Sequence, residues 1–211
     1  MPLNEKMRSV LARTKGFMPD DEGEALYRSA CTALAQHRSL PIIEIGSYCG
    51  KSTVWLGAAA SELGGTVVTI DHHRGSEETQ PGWEHHDPEV VDRRVNLMDT
   101  LPFLRTTLYD AGLEEVVIPI IGRSPVVAQL WRTPASLVFI DGGHGDEHAA
   151  ADFEGWAHHV VSGGLLAIHD VFENPEDGGR PPYERIYLPA VESGEFELHD
   201  AVGSLRVLRR R

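Results

Sequence analysis

The chain has 211 residues, room for one domain or at most two small ones, and enough to bury a sizeable core. Its 41% hydrophobic and 24% charged residues are those of an ordinary globular protein, and its formal net charge of −13 argues against nucleic acid or an anionic membrane surface as a partner. Two cysteines, Cys31 and Cys49, make no disulfide framework and fit a reducing cytoplasm; the first residues lack the apolar core of a signal peptide, and no apolar run approaches the roughly 18 residues of a membrane span.

Residues 3–14 read as a short helix, broken over Gly16-Phe17-Met18-Pro19-Asp20. Asp20 or Asp21 is expected to cap a second helix, with Glu22 and Glu24 in its first turn and Leu26, Ala30, Ala33 and Leu34 on its core face. Pro41 then leads into the apolar run Ile42-Ile43-Glu44-Ile45, a buried parallel strand, followed by the small-residue turn Gly46-Ser47-Tyr48-Cys49-Gly50 and an apolar helix over 54–60. Strand, glycine turn and helix make the first unit of a doubly wound fold, and the helix N-terminus offers free N–H groups. A dinucleotide fingerprint would need glycine at positions 48 and 51, which are Tyr48 and Lys51. A phosphate loop needs four residues before its Gly-Lys-Ser, and only three precede Gly50-Lys51-Ser52. What remains is E-x-G-x-x-x-G, whose Glu44 would repel a phosphate but suits a cationic ligand.

Gly64-Gly65 ends the helix, and Thr66–Ile70 reads as strand two, ending in Asp71, where such folds hold a ribose hydroxyl pair. Residues 72–93 are too long for an ordinary loop and have the composition of a lid-like insertion. His72, His73, His85 and His86 are either solvated or a metal-binding tract, and Trp83 either stacks on a ring or pins the loop. A helix is expected over 95–112. Strand three follows over 116–121, with Pro119 pointing to an edge or first-residue position or to a departure from regular pairing, and then the turn Gly122-Arg123-Ser124-Pro125.

Ser136–Ile140 is strand four, ending in Asp141; Gly142-Gly143-His144-Gly145 and a helix carrying Asp152 and Trp156 follow. After Gly163-Gly164, strand five spans 165–171 with His169-Asp170 near its end. Two adjacent strands thus deliver polar groups to the carboxyl edge, where open α/β sheets bind ligands. A turn-rich loop over 172–183 suits the acceptor side, a helix spans about 183–192, and a terminal hairpin runs to Leu208. Arg209-Arg210-Arg211 is read as a solvated tail.

The E-x-G-x-x-x-G turn resembles the first motif of class I S-adenosylmethionine (SAM) dependent methyltransferases. The F-I-D-G-G-H block, the Asp152/Trp156 helix and G-G-x-x-x-x-H-D-V extend the likeness over roughly residues 40–175, toward the small bacterial enzymes that methylate sugars and macrolides, a conceivable member being the enzyme of methylmannose polysaccharide synthesis. The resemblance implies a Rossmann-like, doubly wound seven-stranded sheet with a terminal antiparallel hairpin. It implies one domain over 1–211, with N-terminal helices over 1–38 and a lid-like insertion over 72–95. It implies SAM bound by Glu44, Gly46, Ser47, Gly50, Ser52, Asp71, Gly122, Ser124 and Asp141, and a divalent cation, Mg²⁺ or Mn²⁺, held by Asp141, His169 and Asp170. His169 stands where metal-dependent relatives usually carry an oxygen ligand, so it either ligates a softer metal or leaves the cation to the two aspartates.

The reaction expected is metal-assisted O-methylation of a small hydroxylated acceptor, a sugar or glycoside, with a catechol or other phenol as the alternative. His144 is the expected base, with His148 and Glu147 behind it. Outside this class stand a nicotinamide-dependent oxidoreductase, disfavoured by Tyr48 and Lys51, and a non-catalytic SAM-binding protein. A homodimer is expected on the ground that the N-terminal helices need a surface to pack on.

Overall fold

The computed structural model describes residues 3–76, 79–82, 86–143 and 145–211. In chain order the elements are α1 (Glu5–Arg13), α2 (Asp20–Gln36), β1 (Ile42–Ile45), α3 (Lys51–Leu63), β2 (Val67–Asp71), β3 (Val91–Asp92), β4 (Leu97–Met98) and α4 (Leu101–Ala111). They continue as β5 (Val117–Ile121), α5 (Ser124–Leu130), β6 (Ala135–Ile140), α6 (Asp146–Trp156), β7 (Val160–Ile168), α7 (Leu188–Glu192), β8 (Phe196–Val202) and β9 (Leu205–Arg210). The seven-stranded sheet has the order β5-β2-β1-β6-β7-β9-β8. Its first five strands are parallel, and β8–β9 closes it as the expected antiparallel hairpin.

The strand alternation divides the core. Ile42, Leu137, Phe139, Leu165 and Ala167 face α1, α2 and α3, whereas Ile43, Val138, Ile140, Leu166 and Ile168 face Trp156, Ile186 and Ala190. The apolar faces of the N-terminal helices (Met7, Val10 and Leu11 of α1; Leu26, Ala30, Ala33 and Leu34 of α2) are buried within the chain's own core, so packing them does not call for a second copy.

Several local expectations are corrected. Neither Asp20 nor Asp21 caps α2: Pro19 holds the extended cap position, and the Asp21 carboxylate accepts from the Glu22 N–H. The helix expected over 95–112 begins at Leu101, because Asn96 takes a left-handed φ of 53° and turns the preceding residues into the β3–β4 hairpin. Strand β7 starts at Val160 and includes Gly163-Gly164. A register shift absorbs them opposite Ala135–Leu137, with Gly163 at φ 80°. Pro119 lies on the sheet edge, as a residue without a ladder donor must. Arg209 and Arg210 are not tail residues: both lie in β9, and Arg210 donates to the His158 and Val160 carbonyls and pairs with Glu195.

Candidate active site

The parallel ladder runs one step past its strands. Gly46 N donates to Ile70 O (3.0 Å), Asp141 N to Ile45 O (2.9 Å), His169 N to Ile140 O (3.1 Å) and Gly122 N to Asp71 O (3.0 Å). The loops after β1, β2, β5, β6 and β7 therefore leave the sheet along one carboxyl edge. Gly46 stands at its centre with φ 87°, and a β-carbon there would lie 2.2 Å from the Asp141 carbonyl oxygen. Gly50, at φ 97°, precedes α3, and its N–H closes the turn onto Ser47 O at 2.7 Å.

Two of the residues expected to contact cofactor, Glu44 and Ser52, are buried and hydrogen-bonded to each other. Glu44 is fully buried, and its two carboxylate oxygens accept from Ser52 Oγ and Thr53 Oγ1, each at 2.7 Å. The reason is the strand alternation, which turns Glu44 toward the first turn of α3. Burial pushes its carboxyl up to about 7, against these hydrogen bonds. Asp71 reaches the edge, but its Oδ2 accepts from Ser47 N (3.0 Å) and Tyr48 N (2.9 Å) and its Oδ1 from His73 N (2.7 Å). The Ser47 hydroxyl is different: it is buried with no hydrogen-bond partner among the described residues.

Across the edge, Gly122 leads into α5 and Ser124 joins a small network: its hydroxyl donates to Asp152 Oδ1 (2.5 Å) and accepts from the buried Trp156 Nε1 (2.7 Å). Burial pushes the Asp152 carboxyl up to about 6 despite the Ser124 hydrogen bond. The Asp152 carboxylate borders a small recess that is also lined by Asp141, Gly142, His169 and Ile186.

At the ends of β6 and β7 the expected cation ligands converge. Asp141, His169 and Asp170 each offer one ligand atom, and these atoms lie within 4.8 Å of one another. His169 Nδ1 is 3.1 Å from Asp141 Oδ1 and 3.3 Å from Asp170 Oδ2, and Asp170 takes a left-handed φ of 53° there. The ring is 4% exposed, and its other nitrogen meets Glu22 Oε2 of α2 at 2.5 Å. Burial opposes a charge on this ring, but the Asp141, Asp170 and Glu22 carboxylates outweigh it and hold its pKa far above the usual histidine value. Glu22 was legible in the sequence only as an acidic first-turn residue.

His144, the expected base, lies outside the described residues, as do Trp83 and His85 of the insertion; Glu147 and His148 are exposed in the first turn of α6. Of the remaining histidines in the insertion, His73 is buried with Nδ1 on Thr100 Oγ1, and His86 Nδ1 pairs with the Thr79 carbonyl. The insertion is tied to the body by Lys15, which pairs with Asp87 and Glu89 at 2.6 Å each.

A model of the methyltransferase domain matches residues 43–171, more than half of the chain and the whole of this edge. The chain belongs to that methyltransferase family. The methyltransferase shares its fold with the O-methyltransferase of Bacillus cereus in complex with SAH, at 19% identity and a TM-score of 0.67 over 100% of this chain and 93% of the other. The O-methyltransferase TomG of Streptomyces achromogenes, in complex with SAM and involved in tomaymycin synthesis, is similar at 17% identity and a TM-score of 0.65, over 98% and 90%. Cofactor-bound Rv0187 from MTB matches at 17% identity and a TM-score of 0.68, over 99% and 90%. Among the described residues no helix of this methyltransferase is long and apolar enough to cross a membrane.

Proposed function

We propose that this methyltransferase transfers the methyl group of SAM to a hydroxyl of a small polyhydroxylated acceptor, a sugar or glycoside, with the help of a divalent cation, the whole chain serving as one catalytic domain. The observation that carries the reading is the gathering of Asp141, His169 and Asp170 at the ends of two adjacent strands, on the same sheet edge as the glycine turn. Two carboxylates and an imidazole nitrogen are a donor set that fits such a cation, and the imidazole favours Mn²⁺-like metals over Mg²⁺. The unpartnered Ser47 hydroxyl fits a SAM molecule over the turn.

SAM, when bound, supplies the methyl group on its sulfonium, and the cation a lowered pKa for the acceptor hydroxyl. The chain's residues do the rest. The turn from Gly46 to Gly50 and the carboxylate of Asp71 orient the cofactor. Asp141, His169 and Asp170 would hold the cation at the end of β6 and β7, beside the place where the acceptor oxygen must lie for in-line attack. His144 takes the hydroxyl proton, an imidazole being poised near working pH.

Calorimetric titration of the apo chain with SAM, and separately with NAD, tests the first half: binding of SAM without NAD is expected. A screen of sugars and catechols with methyl-labelled SAM tests the second. Labelled glycoside is expected, whereas labelled catechol alone would move the acceptor class. A His144→Ala variant that binds SAM normally yet turns over at the parent rate would remove the base assignment.

A further inference from the structure

Glu22 sits in α2, outside the stretch that the methyltransferase family model matches, yet it is built into the candidate active site. Its side chain is almost fully buried. Its Oε1 accepts from Ser204 N at 2.6 Å, and its Oε2 lies 2.5 Å from His169 Nε2 and 3.3 Å from Ser204 Oγ. The β8–β9 turn is shaped around this carboxylate: Gly203 has φ 52°, and a β-carbon on it would lie 2.0 Å from Glu22 Oε1. Three distant segments thus meet on one buried acid. A buried ion pair is a poor stabiliser, since desolvating it costs about what the pairing returns, and packing alone does not account for an acid here.

The geometry of the ring supplies the account. With Nε2 fixed on Glu22, His169 holds Nδ1 between Asp141 Oδ1 and Asp170 Oδ2, and a cation bound there would take the place of the Nδ1 proton, which is released to solvent. A carboxylate that grips one nitrogen of an imidazole while the other faces a cation site is the arrangement by which proteins orient and strengthen a histidine ligand. We propose that Glu22 is the positioning residue of the cation site, holding His169 Nδ1 as its third ligand and thereby making the site prefer a borderline metal such as Mn²⁺ over Mg²⁺. The inference rests on the cation reading above and deepens it. A nitrogen ligand discriminates between these metals, and two carboxylates alone would not.

The test needs no turnover. Full-length wild-type, Glu22→Gln, His169→Gln and the double variant are titrated with Mn²⁺ and followed by the electron paramagnetic resonance of free Mn²⁺, with Mg²⁺ as competitor. Thermal melts and SAM calorimetry report on folding. Glu22→Gln is expected to weaken Mn²⁺ binding about 10–100-fold, to change Mg²⁺ binding far less, and to add nothing in the His169→Gln background. Equal losses for the two metals, additive losses in the double variant, or unchanged Mn²⁺ affinity in a cooperatively folded Glu22→Gln chain overturn the proposal and leave the cation reading standing. Wild-type chain that binds neither metal brings down the cation reading and the role of Glu22 together. Should Glu22→Gln fail to fold, ¹⁵N spectra of the wild-type histidines decide: substoichiometric Mn²⁺ is expected to broaden His169 Nδ1 before any exposed histidine, and a sharp His169 beside a broadened solvent-exposed one overturns the proposal.

Discussion

The two halves of the carboxyl edge use acidic residues in opposite ways. At the ends of β1 and β2 each carboxylate is satisfied by donors close at hand: Glu44 by two hydroxyls of α3, Asp71 by three backbone N–H groups. At the ends of β6 and β7, Asp141, Asp170 and the incoming Glu22 all converge on one histidine. The first pattern shapes a turn; the second concentrates negative charge. What separates them is which donors arrive first. The first half has a helix N-terminus and a tight turn rich in N–H groups beside its acids, whereas the second turns three carboxylates onto one ring, with Ser204 as a further donor to Glu22.

The largest effect is expected where the halves touch. Gly46→Ala puts a β-carbon against the Asp141 carbonyl at a left-handed φ. Strain and overpacking together cost about 3 kcal/mol or more, a fall of roughly 10 °C in a thermal melt at this chain length, with SAM binding lost in calorimetry.

Glu44→Gln sharpens the first half. The folded state raises the Glu44 pKa from 4.5 to about 7, so it binds a proton that the unfolded chain has released. The stability that this group contributes is complete below pH 4.5 and is lost as pH rises to about 7, a change of about 3 kcal/mol. Denaturant titrations of Glu44→Gln across that range are expected to have a flatter pH dependence than wild type and greater stability at pH 8. Parallel curves would mean that Glu44 is not the buried acid described.

Asp71→Asn leaves one oxygen for three N–H groups. It is expected to cost about 1–3 kcal/mol in chemical denaturation and to weaken SAM binding, while Mn²⁺ binding at the other half stays as in wild type. Equal damage to both ligands would erase the distinction between the halves. The smallest effect is reserved for the exposed Glu197–Arg211 pair: Glu197→Gln should shift stability by less than about 0.5 kcal/mol and serves as a control for the loss of a charge.

Much of this was legible in the residues. Apolar runs ending in Asp71, Asp141 and His169-Asp170 placed those groups on one edge, because a buried parallel strand reads as a hydrophobic run and its carboxyl end binds ligands. Pro119 marked the edge strand. The missed features depend on contacts that local pattern does not encode. Glu22 meets His169 across 147 residues of chain. Glu44 meets Ser52 and Thr53 across a turn whose path had to be known first. The β3–β4 hairpin has two-residue strands, too short for periodicity. Arg210 read as a solvated charge, although its guanidinium is taken up by the carbonyls of His158 and Val160.

The central claim is that the acidic half holds a cation that methyl transfer needs, and label transfer from methyl-labelled SAM to a glycoside acceptor tests it most directly. Wild-type chain is assayed with chelator and after Mn²⁺ add-back, beside Asp170→Asn. The account predicts that chelator abolishes transfer, that Mn²⁺ restores it, and that Asp170→Asn binds SAM but transfers little label even with Mn²⁺. Transfer that persists undiminished in chelator and in Asp170→Asn would contradict it.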